Sequence, residues 1–401
     1  PSNKYIQISM KRTIGVFTLR ANIDDEPPFS EPPFGIQTSL CQRIVRENQS
    51  LDVTFVFFTL AHWQPGSLEI DALTFDGESW HAVHTPIPPV VYDRYFSPKG
   101  KAKAAKAFRS FLKENGVVFT TPHELTRLTI NKRKFNRFLE KNAIPCLRTA
   151  ALKDLSEERL QSMLCESGTL YLKPITGMKG MGIAVVEKIA SHRYLLHLSS
   201  EEVLTLETGC LLEALKETGR FERYIAQVNA NAHPFEGSPF FIRVLVQNVC
   251  DGKYSVTGML ARVGARKAWT AVPCENERAI PLADLETYYR DTYQKNIFEE
   301  RTNIERICLQ CCYHLHEEFG DFAELAFDVI LTRDHGPAIL EANSKPGRAI
   351  FKLIVQTYPE GSQARAYYQA VVSESLQKLG KFALYRLNQV EARQKLLCAT
   401  I

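Results

Sequence analysis

Between residues 322 and 352 the chain reads FAELAFDVILTRDHGPAILEANSKPGRAIFK, and three side chains in it could do metal chemistry. Asp328 interrupts an apolar run over residues 325–331. A polar turn at Asp334, His335, Gly336 and Pro337 follows, then a second apolar run over 338–340 that ends in Glu341, Ala342 and Asn343. Two apolar runs about a polar turn predict a hairpin. An acid in a buried strand is costly unless its charge is compensated, and a second acid beside it adds to the cost. A shared cation relieves both. Glu341 and Asn343 lie two apart and leave an extended strand on one face, where a paired strand can bring Asp328 alongside. This oxygen set suits Mg²⁺, which keeps some waters and takes phosphate oxygens as further ligands. The plainer alternative is a hairpin with one capped acid and one solvated acid.

Groups that could meet phosphate stand upstream. Residues 169–174, TLYLKP, predict a strand with Lys173 at its end, followed by ITGMKGMG over 175–182 and a second strand over 183–187. Gly177, Gly180 and Gly182 allow positive φ at a hairpin tip and can turn backbone N–H groups toward an anion, with Lys179 adding charge. No GxxxxGK[ST] is present and a strand, not a helix, follows, so the loop is neither a Walker A nor a dinucleotide fingerprint. A plain glycine-rich hairpin remains the alternative. Lys132 falls on a helix expected over 128–142, where a solvated lysine fits equally. Arg243 and Arg262 sit in apolar runs over 240–247 and 254–263. A lone arginine on such a strand needs an anion, either a salt-bridge partner or a phosphate. Asp93 and Arg94 end a strand expected over 86–92. Strand ends of open parallel sheets line ligand crevices, so this pair either grips a substrate's charged end or forms a loop ion pair.

The elements that must position these groups follow from periodicity. A strand over 11–19, a loop over 24–33 rich in Pro and acids, a helix over 36–46 and a strand over 53–60 make a βαβ opening. A hairpin over 68–80 and a short strand over 117–120 complete it, and Pro122 breaks the chain. Lys99, Lys101, Lys103, Lys106 and Arg109 spread around a helix and read as a solvated face. Helices are expected over 282–296 and 302–319, with a helical tail from 359. Three units result: 1–122, 123–226 and 227–401.

Composition excludes several classes. A chain of 401 residues with a net charge of +4 is long enough for two or three cores and has no bulk charge for a dedicated nucleic-acid or membrane-surface role. No run of about 18 uncharged apolar residues predicts a membrane span. Residues 1–4, Pro-Ser-Asn-Lys, lack a signal peptide's apolar core. The ten cysteines form no disulfide framework, so reduced cytosolic thiols are expected. Cys308, Cys311, Cys312 and Leu315 share one helix face at core spacing, which favours packing over a zinc site.

Taken together these residues resemble the ATP-grasp superfamily, and most nearly its YheC/YheD-like branch, associated with the spore coat in sporulating bacteria. The resemblance rests on Tyr92-Asp93-Arg94, Asn131-Lys132, Leu172-Lys173-Pro174 with the loop from Gly177 to Gly182, Tyr224-Ile225-Ala226-Gln227, the run from Ile242 to Gln247, Ala261-Arg262-Val263, and the run from Leu340 to Arg348. It implies an α/β and α+β chain, an ATP-grasp fold with an N-terminal Rossmann-like pre-ATP-grasp domain. It implies ATP and Mg²⁺ as cofactors, with Lys132 and Lys173 on the phosphates, the loop of Gly177, Gly180 and Gly182 closing over them, and the backbone at Gln227 and Val228 reading adenine. Asp328, Glu341 and Asn343 would hold Mg²⁺. Arg262, Arg243 and Lys179 would serve the transferring phosphoryl, and Asp93, Arg94 and Arg348 the substrate. The implied activity is a cytoplasmic carboxylate–amine ligase taking small-molecule or peptide substrates through an acyl phosphate. No nucleic acid or membrane partner is expected, and a homodimer is an option. Two departures stand out. Phe241 replaces an acid often found two residues before the arginine, and residues 264–276 lack the usual asparagine and paired glycines. They leave open a second reading, a nucleotide-binding coat-associated protein without turnover.

Overall fold

A computed structural model describes residues 12–19, 33–97, 100–177, 180–199, 202–265, 278–333 and 336–399. Three sheets organise them. The first holds β1 (Thr13–Phe17), β2 (Thr54–Phe58), β3 (Glu69–Phe75), β4 (Trp80–Pro86), β5 (Val90–Asp93) and β6 (Val118–Phe119) in the order β4-β3-β2-β1-β5-β6. The four strands from β2 to β6 in that order run parallel, and β3 and β4 add an antiparallel edge, so the sheet is mixed. Apolar runs such as TIGVF and TFVFF need cover on both faces. Helix α1 (Thr38–Glu47) packs Cys41 and Ile44 on one face, and α2 (Ala102–Glu114) packs Ala105, Phe108 and Leu112 on the other. The basic helix is not wholly solvated. Lys101, Lys103 and Lys106 are exposed, but Arg109 turns inward and is buried.

The helix expected over 128–142 is two helices, α3 (His123–Ile130) and α4 (Lys132–Lys141). Asn131 takes an extended conformation between them, and its side chain accepts from the Lys134 N–H at 3.0 Å, an N-cap that starts α4 afresh. The second sheet then forms from β7 (Thr149–Ala151), β8 (Thr169–Pro174), β9 (Ala184–Ala190), β10 (Arg193–His197), β11 (Val203–Glu207) and β12 (Tyr224–Val228), in the order β11-β10-β9-β8-β12-β7. Helices α5 (Glu157–Ser167) and α6 (Leu211–Glu217) cover it through Leu160, Leu164, Leu211 and Leu215.

The third sheet is antiparallel: β13 (Phe240–Asn248), β14 (Tyr254–Val263), β15 (Arg278–Pro281), β16 (Glu324–Thr332) and β17 (Gly336–Asn343), ordered β15-β14-β13-β16-β17. One face packs against α7 (Leu282–Tyr293) and α8 (Phe298–Phe319), where Cys308, Cys311, Cys312 and Leu315 are fully buried in the core. The other face meets α9 (Ala349–Thr357) and α10 (Gln363–Ala399). The tail from 359 is thus preceded by a helix that the sequence reading passed over. Among the described residues, no helix is long and apolar enough to cross a membrane.

Helix α10 belongs to two cores. Tyr368, Val371 and Val372 lie on the third sheet, and one stretch later Leu376, Leu379, Phe382, Ala383 and Leu387 lie on the first. Gly380 makes the second contact close enough, since a Cβ there would overlap Asn48, whose amide donates to Leu376 O at 3.0 Å. The fully buried Phe382 ring anchors this tie. Phe382→Ala should lower the unfolding free energy by about 3–5 kcal/mol in urea titration; a loss under about 1 kcal/mol would show that α10 does not hold the first sheet.

Candidate active site

A row of charges crosses the third sheet. Arg243 on β13 lies opposite Asp328 on β16, and Asp328 opposite Glu341 on β17, so all three side chains leave one face. The Arg243 guanidinium grips Asp328 through both oxygens, Nη2 at 3.0 Å from Oδ2, with both residues buried. Asn343, two residues beyond Glu341, shares that face, and its Oδ1 accepts from the Lys345 N–H at 2.9 Å. Arg262, opposite Phe241 on the neighbouring strand, stacks 5.2 Å above that ring and bears electrostatically on Asp328. Of the two options open for Arg243, the structure takes the salt bridge. Its guanidinium meets the carboxylate through Nε and Nη2.

Two lysines approach this row from the second sheet and α4. Lys132 opens α4: its N–H donates to Ile175 O at 2.9 Å, and its Nζ lies 3.1 Å from Gly177 O and 3.7 Å from Glu341 Oε2. Lys173, at the end of β8, donates from Nζ to Gln227 Oε1 at 2.6 Å and sits 5.5 Å from the Tyr171 ring centre. Burial lowers the Lys173 pKa to about 8, against the pull of Glu341, and the nearby Lys132 adds to the lowering. The carboxylates diverge. Burial pushes Asp328 up to about 6 despite Arg243, with Glu341 pushing the same way. Burial also works to raise Glu341, but Lys132 and Lys173 hold it below the usual range.

Gly180 and Gly182 both take positive φ, at 63° and 74°. At Gly182 a Cβ would press on the Tyr224 hydroxyl and the Pro174 ring, so the glycine there serves close approach as well as conformation. Gly177 is exposed beside Lys132. Lys179 lies outside the described residues, as do Asp334, His335 and residues 266–277. The expected adenine contacts are differently engaged. The Val228 N–H donates to Arg148 O at 3.1 Å, and β12 is flanked on both sides by β7 and β8. The Gln227 side chain is spent on Lys173 and on Thr149 Oγ1 at 2.9 Å.

The three substrate candidates sit at the junction of the first and third sheets, already partnered. Asp93 accepts from Arg109 Nε at 2.7 Å and lies 2.8 Å from Lys345 Nζ. Burial works to raise its pKa, but Lys345 and Arg109 hold it down. Arg94 donates to Pro346 O at 3.0 Å, and its buried Nε has no partner among the described residues. Arg348 is paired with Glu324 and approached by the Tyr92 hydroxyl at 3.3 Å, all three buried. Asp93, through Lys345, and Arg348, through Tyr92, therefore link the first sheet to the third, each with its charge paired. Glu324, Gln247 and Ser375 complete that network and were not singled out from the sequence. The available signal was Glu324 itself, four residues before Asp328 and on the same strand face.

Four cations, Lys132, Lys173, Arg243 and Arg262, thus surround two carboxylates, leaving an excess of positive charge for a polyanion. Asp328, Glu341 and Asn343 offer the oxygen donors that a hard divalent cation accepts, and a carboxylate gripped by arginine keeps further lone pairs for it. The donor set fits Mg²⁺ carrying phosphates.

Known proteins resemble this chain over most of its length. Residues 125–371 match the model of the family described as YheC/D-like ATP-grasp. The chain is 23% identical over 349 residues to endospore coat-associated protein YheD of Bacillus subtilis, covering 84% of this chain and 73% of that protein. It is 23% identical over 317 residues to endospore coat-associated protein YheC of the same organism, covering 77% and 84%. Among solved structures, D-alanyl-alanine synthetase A from Vibrio cholerae is 13% identical, with a TM-score of 0.49 over 92% of this chain and 99% of that one.

Lys173 gives the site a measurable signature. Its pKa of about 8 in the fold lies below the 10.5 of an unhindered lysine, so between these values the unfolded chain binds the extra proton. Stability should therefore rise with pH across this window by virtue of this group. The difference in unfolding free energy between the protein and Lys173→Met should grow in the protein's favour from pH 8 to pH 10. A difference flat with pH would place Lys173 in solvent.

Proposed function

The chain belongs to the YheC/D-like ATP-grasp family, and from that premise we propose that it is an ATP-dependent carboxylate–amine ligase acting through an acyl phosphate. The observation that carries the reading is the convergence of Lys132 and Lys173 on the Asp328–Glu341 row. A substrate carboxylate oxygen bonds the γ-phosphorus as its bond to the bridging oxygen breaks and ADP departs. The amine nitrogen then bonds the acyl carbon, phosphate leaves, and the nitrogen releases its proton. Mg²⁺ held by Asp328, Glu341 and Asn343 would supply charge neutralisation along the phosphates. Lys132 and Lys173 bind and orient those phosphates, and Arg262 faces the transferring group. Arg243 positions Asp328. The glycine loop, rooted beside Lys132, keeps water from an acyl phosphate that would otherwise hydrolyse. The acid and amine are small molecules or peptides.

A second reading is a nucleotide-binding, coat-associated protein without turnover. It is favoured by Phe241 in place of an acid, by the closed grip of Arg243 on Asp328, and by the names of the two Bacillus relatives.

Purified protein with ATP, Mg²⁺ and a panel of amino acids and peptides should release ADP and phosphate only when both an acid and an amine are supplied. Asp328→Asn combined with Glu341→Gln should lower that release at least about a hundredfold. Release of AMP would overturn the ligase reading, and tight ATP binding with no ADP across the panel would establish the second.

A further inference from the structure

Away from the charged row, a cleft of about 280 Å³ opens where α1 of the first domain meets α9 and α10. Arg43, Lys352, Gln369, Ser373, Val355 and Val372 line it. Its charges are unbalanced. Glu47 is the acid beside it, and Glu47 is already engaged by Ser373 Oγ at 2.6 Å, Arg43 Nη2 at 3.3 Å and Gln377 Nε2 at 3.3 Å. Lys352 has no carboxylate at ion-pair distance among the described residues; its Nζ donates to the neutral Ser39 hydroxyl at 3.2 Å. Burial and the like charge of Arg43 both lower its pKa.

We propose that this cleft is a binding site for a small organic carboxylate, its head between Arg43 and Lys352 and its short apolar body against Val355 and Val372. Arg43 on α1 and Lys352 on α9 bring two positive charges against the one carboxylate of Glu47, which pairs with Arg43, and a further carboxylate would take charge-assisted hydrogen bonds from both cations. Gln369 and Ser373 offer polar atoms at the rim, and two valines give an alkyl chain a wall that a bare inorganic anion would not use. The site bridges α1 and α9, so occupancy ties the first domain to the helix that follows the Ser344–Arg348 loop. None of its lining residues belongs to the nucleotide site, and the proposal holds whether or not the chain turns over ATP.

Butyrate titrated into the full chain without ATP, followed by calorimetry and by the midpoint of thermal unfolding, should bind saturably and raise the midpoint. Lys352→Gln should weaken that binding roughly tenfold or more, the cost of one charge-assisted contact, with an unchanged midpoint in the absence of ligand. Lys352→Arg should retain it. Butylamine should not bind, and inorganic phosphate should bind more weakly than butyrate. The assignment is overturned if butyrate does not saturate, if Lys352→Gln binds as the parent does, or if phosphate or butylamine matches butyrate.

Discussion

A guanidinium and two carboxylates lie side by side across three strands, Arg243, Asp328 and Glu341, and the surrounding architecture keeps them there. Burying such a row costs several kcal/mol per ion unless each charge meets an opposite one with good geometry. Arg243 meets that demand for Asp328 with a two-pronged contact, leaving Glu341 to the lysines of the second sheet and α4. The register is what makes it possible. Asp328 faces Glu341, but the next residue, Val329, faces Ile339, so Leu340 is an extra residue bulged out of β17. Without that bulge the alternation would send Glu341 to the opposite face, into the core shared with Ile339 and Ala342. The bulge also lets Leu340 and Ala338 pack against the second sheet's core, so one irregularity both aims the acid and docks the lobe.

The same third sheet is held to the first domain by a second set of buried charges. Glu324 and Arg348 are almost wholly inaccessible, and Tyr92, Gln247 and Ser375 close the network around them. Asp93 meets Lys345 and Arg109 at the end of β5. Burial lowers the Lys345 pKa to about 8 while Asp93 draws it upward. Since the Lys345 N–H also holds the Asn343 amide oxygen, the strand ends of the first domain and the third oxygen donor of the row are fixed through one residue. Charged residues at strand ends, which on position alone suggest a substrate grip, here form ion pairs that join the first and third sheets.

Much of this was legible because burial writes itself into local sequence. Apolar runs gave β8 and β14 at their observed limits, and the ExN spacing placed Glu341 and Asn343 on one face because a strand has period two. The family motifs were local as well. What escaped was non-local. Asn131 stops one helix and caps the next, yet in the sequence it sits inside a continuous helical pattern until the adjacent β-bridge to Thr176 fixes its backbone. Arg109 looked solvated because its partner, Asp93, lies on another element. The double duty of α10 could not be read either, since both its halves are apolar and nothing local says that each half has a different sheet. The Leu340 bulge is invisible in composition, and only the pairing partner reveals it.

The electrostatic asymmetry of the site bears on what the fold gives up to have it. Lys132, Lys173, Arg243 and Arg262 are gathered around fewer negative charges, and burial, with Lys132 adding to it, lowers the Lys173 pKa. A sheet selected for stability alone would replace such groups with aliphatic side chains of similar volume, often at no loss or at a gain. Cations already in place would need little reorganisation on meeting a polyanion. Arg243 fits the same logic from the other side. It fixes the orientation of Asp328 through both oxygens, while burial and the facing Glu341 raise the Asp328 pKa to about 6.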